Sequence, residues 1–144
     1  LKKAGVQWLA LGIESGNGVV RKDVIKGRFT DVNIADLVKE IQDAGINVIG
    51  NYIFGLPEDN TDTMRETLEL AKDLNCEFAN FYCSMAYPGS KLYLDAIRDG
   101  MTLPETYTGY PKYLDFIKQK FGEETHNRIV KMCQHKLKRK IIGD

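Results

Sequence analysis

Three segments of this chain run from an apolar stretch straight into polar or glycine-bearing residues. The residues at these three exits are Glu14 and Ser15, then Gly55 and Glu58, then Tyr87. A carboxylate can accept strong hydrogen bonds from a ligand ammonium group or from a pair of ribose hydroxyls. A glycine lets the backbone approach a ligand closely, and an aromatic ring can stack on a purine. Each residue also has a plain structural explanation, as a helix cap, a turn or rim packing.

The apolar stretches before these exits are predicted to be strands of a parallel sheet. Strands are expected at 8–13, 47–54 and 78–85, with helical patterns between them. Spacings of roughly 30 residues or more suit βαβ units. Near-continuous apolar strands are typical of a parallel sheet that is covered on both faces. Because the carboxyl ends of parallel strands meet at one edge, the three exits should lie together where α/β folds bind ligands.

Capping residues and apolar spacing predict the intervening helices. Thr30 or Asp31 would cap the second helix, Thr63 with Glu66 fits a capping box, and Ser90 would cap the helix that follows the third strand. After residue 100 the pattern changes to a turn-rich segment. Two helices, at 112–121 and 123–139, are then expected on either side of Gly122, and three βα units with this tail could form part of a barrel or an open sheet.

Composition narrows the classes of function. The 144 residues carry 20 basic and 20 acidic side chains, which gives no electrostatic reason to expect a nucleic-acid partner. No apolar run is long enough to suggest a membrane span, and the first residues lack the apolar core of a signal peptide. Three cysteines at 76, 83 and 133 favour free thiols in a reducing cytoplasm. Residues 1–5 read as the end of a helix, so we expect a piece of a longer cytoplasmic protein.

Two other groups of residues carry little functional signal. His126 and His135 lack a nearby carboxylate or cysteine at metal-ligand spacing. The basic run at 136–140 is expected to be a solvated helix end. We therefore assign no metal ligand and no catalytic residue within this chain.

Taken together and in order, the exits resemble the radical S-adenosylmethionine (SAM) family. The matching motifs are Gly12-Ile13-Glu14-Ser15-Gly16, Ile53-Phe54-Gly55-Leu56-Pro57-Glu58 and Ala86-Tyr87-Pro88-Gly89-Ser90. The chain resembles the C-terminal half of such an enzyme, of the branch often fused to a cobalamin-binding domain. The fold class that this implies is α/β, a partial (β/α) TIM-like barrel over residues 1–100 with a C-terminal helical extension over 101–144.

The resemblance also implies cofactors. In this family three cysteines in a Cys-x3-Cys-x2-Cys motif hold a [4Fe-4S] cluster, which cleaves SAM reductively to a 5′-deoxyadenosyl radical. That motif is absent here. We therefore expect the cluster to be bound by a missing N-terminal half of the barrel and this chain alone to be inactive. The use of cobalamin by the parent enzyme stays open.

The resemblance further implies SAM-binding roles for seven residues. Glu14 and Ser15 would hydrogen-bond the ribose or the amino-acid part, and Ile53 and Gly55 would lie against the adenine. Glu58 would brace the loop. Asn51 stands where the family strand motif often has glycine. Tyr87 would close the adenine side.

Two alternatives to a radical SAM enzyme stay open from the sequence. The chain could be a non-catalytic α/β binding or interaction module. It could also be a small α/β enzyme that uses Glu14 and Glu58 as acid and base. The substrate cannot be inferred from the sequence. Because a partial barrel exposes strand edges and an apolar face, we expect the isolated chain to self-associate.

Overall fold

The computed structural model describes residues 1–25, 32–103 and 114–134. Its centre is a three-stranded sheet in the order β1-β2-β3, in which both neighbouring pairs of strands run parallel. The strands are β1 (Trp8–Glu14), β2 (Asn47–Phe54) and β3 (Phe78–Cys83). The predicted α/β class with three parallel strands is therefore confirmed, although β3 ends two residues earlier than expected.

Helices connect the strands and follow the sheet. A short 3-10 helix, Lys2–Ala4, precedes β1. The α-helices are α1 (Gly18–Ile25), α2 (Ile34–Asp43), α3 (Thr61–Leu74), α4 (Lys91–Arg98) and α5 (Leu114–Gln134). Inside α5, Gly122 has φ 81° and ψ 165°, so the backbone breaks into two helical segments at the residue that the sequence indicates.

The helix caps differ in part from those predicted. Asn33 caps α2 by accepting backbone N–H hydrogen bonds from the first turn, whereas Thr30 and Asp31 lie outside the described residues. The capping box of α3 joins Asn60 to Thr63, so the expected pairing of Thr63 with Glu66 is wrong. An asparagine side chain is short enough to reach the N–H groups two and three residues ahead. Ser90 caps α4 as predicted.

One face of the sheet carries the hydrophobic core. Val48, Tyr52 and Phe54 of β2 are fully buried among apolar residues of α2 and α3. The rings of Tyr52 and Phe54 stack on Phe81 of β3, with centroid separations of 5.1 and 5.3 Å. Burial of one such side chain contributes roughly 1.5–3 kcal/mol, so this aromatic cluster is a main attachment between β2 and β3.

Gly50 leaves room for the ring of Tyr52 within the same strand. A Cβ atom at position 50 would lie 2.8 Å from the Tyr52 hydroxyl oxygen and 3.0 Å from a ring carbon. The hydroxyl itself faces the Cys76 thiol, and burial raises the pKa of both groups. Cys76 is thus a buried neutral thiol on the helix-covered side of the sheet.

The opposite face of the sheet is the open face. Its residues alternate with the buried ones and remain partly exposed, with Trp8 at 49%, Phe78 at 43% and Tyr82 at 51%. The expectation that both faces are covered is therefore wrong for the described residues. Helices α2 and α3 pack on one side only, as in a (β/α) barrel, where the other side faces the barrel interior.

None of the helices in the described ranges combines the length and the apolar character that a bilayer crossing requires.

We expect the isolated chain to self-associate through the open face, since Trp8 on β1 and Phe78 and Tyr82 on β3 expose apolar surface there. Sedimentation velocity should show a concentration-dependent dimer or larger species. Tyr82→Lys should shift the equilibrium towards monomer, whereas the control Leu94→Lys, at an exposed position on α4, should not. A monomer at high concentration would contradict the expectation.

Candidate functional site

The three strand exits lie at one edge of the sheet, as predicted. Glu14 pairs in register with Tyr52 of β2, and Phe54 pairs with Cys83 of β3. The Ser84 N–H donates to the Phe54 carbonyl oxygen at 2.8 Å, so pairing continues just beyond β3. The parallel register thus brings the ends of all three strands to the same edge.

Glu14 adopts a backbone conformation that is rare for a residue with a side chain. Its φ is 65°, and the β1–β2 register is irregular between Gly12 and Glu14. The side chain folds back over Gly12, where a Cβ atom would lie 2.5 Å from a Glu14 carboxylate oxygen. Left-handed backbone at a non-glycine residue costs on the order of 1 kcal/mol or more and concentrates at functional sites.

The Glu14 carboxylate is available to a ligand. It makes no hydrogen bond or ion pair with any residue that the structure describes, and it is only partly exposed. Burial raises its pKa above the ordinary value of 4.5. A half-buried carboxylate without a protein partner is a natural acceptor for an ammonium or hydroxyl group of a ligand.

A short row of amide side chains crosses the open face beside Glu14. Asn51, the register partner of Gly12, donates its side-chain N–H to the Leu11 carbonyl oxygen at 3.3 Å. Asn80 of β3 donates to the Asn51 side-chain oxygen at 3.0 Å. The predicted site residue Asn51 therefore lies on the open face, where it links all three strands.

Ser15 points away from the open face. Its side chain is fully buried, and its hydroxyl lies 3.2 Å from the Thr67 hydroxyl of α3. The same Ser15 oxygen accepts the Asn17 N–H, while Thr67 accepts the Gly16 N–H. Ser15 thus fixes the β1 exit against α3, and its hydroxyl is not presented to the side of the sheet where Glu14 lies.

The β2 exit is a turn held by Asp59. Gly55 takes φ 85°, a conformation that favours glycine. One Asp59 carboxylate oxygen accepts the N–H groups of Gly55 and Leu56 at 2.9 and 3.0 Å, and the other accepts the Thr63 hydroxyl at 2.8 Å. Burial raises the pKa of Asp59, while these hydrogen bonds oppose the rise.

The loop-bracing role predicted for Glu58 belongs to Asp59. Glu58 is exposed, whereas its neighbour is 6% exposed and faces inward. The shorter aspartate side chain reaches the backbone N–H groups three and four residues earlier. The Asp59-Asn60 pair before a helix is the signal that could have identified it. The alternative acid–base pair of Glu14 and Glu58 loses its support, because an exposed Glu58 lacks the burial that tunes such pairs.

Ile53 and Tyr87 lie near the edge of the sheet. Ile53 is partly buried on the open face, beside Tyr82 of β3. Tyr87 is 38% exposed, and its hydroxyl donates to the Met85 sulfur at 3.0 Å. Ser90 bonds the Tyr87 carbonyl oxygen, so the turn that carries Tyr87 is attached to the start of α4.

Helix α5 contacts the same edge, which the sequence analysis did not foresee. It packs against β3, and Phe121 joins the core. The Lys120 ammonium group donates to the carbonyl oxygens of Leu56 and Pro57, at 2.9 and 2.6 Å. These contacts join positions more than 60 residues apart, beyond the reach of any local sequence pattern.

The described cysteines do not fit an iron–sulfur cluster. Cys76 is buried on the helix-covered side of the sheet, and Cys83 ends β3. The clusters of radical SAM enzymes use three thiolates at close spacing. The side chain of Cys133 lies outside the described part. In the described ranges, no three His, Cys, Asp or Glu side chains are grouped so that they could hold a metal ion.

Comparison with known proteins identifies relatives among enzymes. The chain is 26% identical over 132 residues to an uncharacterized methyltransferase of Pyrococcus horikoshii, covering 91% of this chain and 28% of the relative. It is 26% identical over 111 residues to cytidylyl-2-hydroxyethylphosphonate methyltransferase of Streptomyces wedmorensis, covering 73% and 21%. No family model matches the chain.

A solved structure shares the fold. Coproporphyrinogen III oxidase of Escherichia coli, a radical SAM enzyme, superposes with a TM-score of 0.53 at 16% identity, covering 89% of this chain and 28% of that one. The predicted resemblance to radical SAM proteins is confirmed at the level of the fold. The described strands and helices therefore match part of a radical SAM (β/α) fold, and the chain spans about a quarter of the length of these relatives.

Two glycines at the β1 exit should respond differently to alanine. In Gly16→Ala the new Cβ would lie 2.7 Å from the Glu66 carbonyl oxygen and 2.8 Å from the Thr67 Cα. Both are main-chain atoms of α3, which cannot shift as easily as the end of a side chain. We expect a loss of about 1–3 kcal/mol in the free energy of unfolding.

In Gly12→Ala the new Cβ meets only the end of the flexible Glu14 side chain. We expect the free energy of unfolding to change by less than about 1 kcal/mol, while the carboxylate moves. Urea denaturation of both variants checks the contrast, and equal destabilisation would refute the described packing.

Glu14→Gln should stabilise the folded chain near neutral pH. Because folding raises the pKa of Glu14 above 4.5, its contribution to stability is fully present below 4.5 and is lost as pH rises through the folded pKa. A glutamine at position 14 does not ionise, so Glu14→Gln avoids this loss of stability. Its advantage in the free energy of unfolding should therefore appear above that pKa and vanish at acidic pH, in denaturation measured from pH 3.5 to 8. An advantage that is independent of pH would contradict the burial of this carboxylate.

Proposed function

We propose that this chain is the SAM-binding part of a radical SAM enzyme. The observation that carries the proposal is the Glu14 carboxylate, which is half-buried and held over Gly12 by a left-handed backbone at the edge where three parallel strands end. Such a placement costs stability, and the carboxylate makes no hydrogen bond or ion pair within the described residues. A ligand with an ammonium group or vicinal hydroxyls would supply the missing partner.

The residues around Glu14 fit the polar and apolar parts of SAM. Glu14 would accept hydrogen bonds from the ribose or the amino-acid part, with Asn51 beside it on the open face. Ile53, partly buried on the open face, offers an apolar surface for the adenine, and the backbone of the buried Gly55 would lie beside it. Tyr87 is partly exposed near the same edge and would close the adenine side. Ser15 and Asp59 support these residues from the helix side.

The cofactor chemistry of the parent enzyme would come from a [4Fe-4S] cluster, which supplies the electron for reductive cleavage of SAM. The described cysteines do not fit that cluster, so it would be bound by a separate part of the barrel. We therefore propose that the isolated chain binds ligand without cleaving it. Reconstitution with iron and sulfide that gave a stable cluster absorbance would overturn this part of the proposal.

Relatives named as methyltransferases support a methyl or related transfer reaction, and cobalamin would be compatible with it. A second candidate is a non-catalytic α/β module that keeps the ligand edge. It is favoured by the absence of a fitting cysteine set in the described ranges, and a Cys-x3-Cys-x2-Cys motif in the parent chain would exclude it.

Binding of SAM to the 144-residue chain tests the proposal. Isothermal titration calorimetry should detect SAM binding, and Glu14→Ala should weaken it roughly 10- to 100-fold, the value of one or more charge-assisted hydrogen bonds. The control Glu40→Ala removes an exposed carboxylate from α2, outside the site residues, and should change affinity little.

Titrations with adenosine alone and with methionine alone would show which end Glu14 contacts. A loss of adenosine affinity in Glu14→Ala assigns the carboxylate to the ribose, and a loss of methionine affinity assigns it to the amino-acid part. Equal SAM affinity of wild type and Glu14→Ala would reject the proposed role of Glu14.

A further inference from the structure

The turn at the end of β2 is held from two sides by opposite charges. On one side, the Asp59 carboxylate accepts the N–H groups of Gly55 and Leu56. On the other, the Lys120 ammonium group donates to the carbonyl oxygens of Leu56 and Pro57. Two side chains thereby fix backbone polar groups of three successive residues, and one of these side chains, Lys120, comes from α5.

Lys120 is an unusual lysine for a surface helix. It is partly buried, and burial lowers its pKa while the nearby Asp59 and Glu58 carboxylates oppose the change. Its ammonium also lies 4.8 Å from the centroid of the Phe121 ring. Removing an ammonium group from water is costly unless it is paired and hydrogen-bonded, so the two carbonyl contacts and the carboxylates offset a penalty that an exposed lysine would not incur.

A second contact fixes the turn of α5 that carries Lys120. The Gln119 amide accepts the Thr102 N–H at 3.1 Å and donates to the Thr102 carbonyl oxygen at 3.2 Å. Gln119 thus attaches α5 to the segment that follows α4, while Lys120 attaches it to the β2 exit. The break at Gly122 comes two residues later, so the docked helix ends at this edge of the sheet.

We propose that Lys120 is a positioning residue of the ligand site, so that α5 is a working part of the site. It holds the turn from Gly55 to Pro57 in the conformation against which an adenine would lie, and it acts through that backbone without touching the ligand. The inference rests on the proposed function, because it takes SAM as the ligand of this edge.

The contrary explanation is that Lys120 only anchors α5. If Lys120 only anchors α5, removing its ammonium group should lower stability and leave ligand affinity unchanged. Positioning predicts that affinity falls together with protection of the turn. Because a turn fixed in its bound conformation loses less entropy on binding, the two explanations differ in what calorimetry and hydrogen exchange measure.

The test compares three variants of the 144-residue chain. Lys120→Met removes the ammonium group and keeps most of the apolar stem, and Lys120→Arg restores a donor. Lys118→Met is the matched control, because Lys118 is exposed on the same helix and pairs with Glu123 at 3.0 Å. The readouts are the Kd for SAM and the amide hydrogen-exchange rates of Gly55 and Leu56.

Lys120→Met should raise the Kd about tenfold, because a turn that is no longer fixed must lose entropy when the ligand binds, and should accelerate exchange at both amides. Lys120→Arg should recover part of the affinity, and Lys118→Met should match wild type. Unchanged affinity in Lys120→Met overturns the inference whether or not exchange accelerates, since faster exchange alone would mean anchoring. Failure of the wild-type chain to bind SAM would instead reject the proposed function, and with it the ligand on which this inference rests.

Discussion

Parallel pairing of β2 with both of its neighbours is the constraint on which the rest of this structure depends. It brings three carboxyl strand ends to one edge and makes side chains alternate between a helix-covered face and an open face. Val48, Tyr52 and Phe54 supply the core from one side of β2, and Asn51 and Ile53 face the opposite side. A single strand therefore carries both the stability of the sheet and two residues of the candidate site.

The helix-covered side also sets the geometry of the ligand edge. Ser15 and Thr67 fix the β1 exit to α3, and Asp59 with Thr63 fixes the β2 exit to the same helix. Both exits are thus attached to α3. The partners that orient the site are short hydroxyl and carboxylate side chains, while Glu14 itself is left without a partner in the described residues.

Much of the fold follows from local patterns, but the site only partly does. Apolar runs separated by helical spacing predict the strands well, although only one face of the sheet is covered in the described residues. The direction of Ser15 and the backbone of Glu14 could not be predicted, since an irregular register at the end of β1 accompanies both. Asp59 rather than Glu58 braces the β2 exit, because its shorter side chain turns inward to the N–H groups of Gly55 and Leu56. The contact of Lys120 with Leu56 depends on tertiary packing and has no local signal.

The close packing of Gly50 and Tyr52 ties these two positions together. The tyrosine ring occupies the space that any side chain at position 50 would need, so neither residue can be changed freely while the other is kept. In a diverging lineage, a larger residue at 50 would become acceptable only after the aromatic ring at 52 had shrunk or turned. The two positions are coupled by packing and should covary among homologous chains.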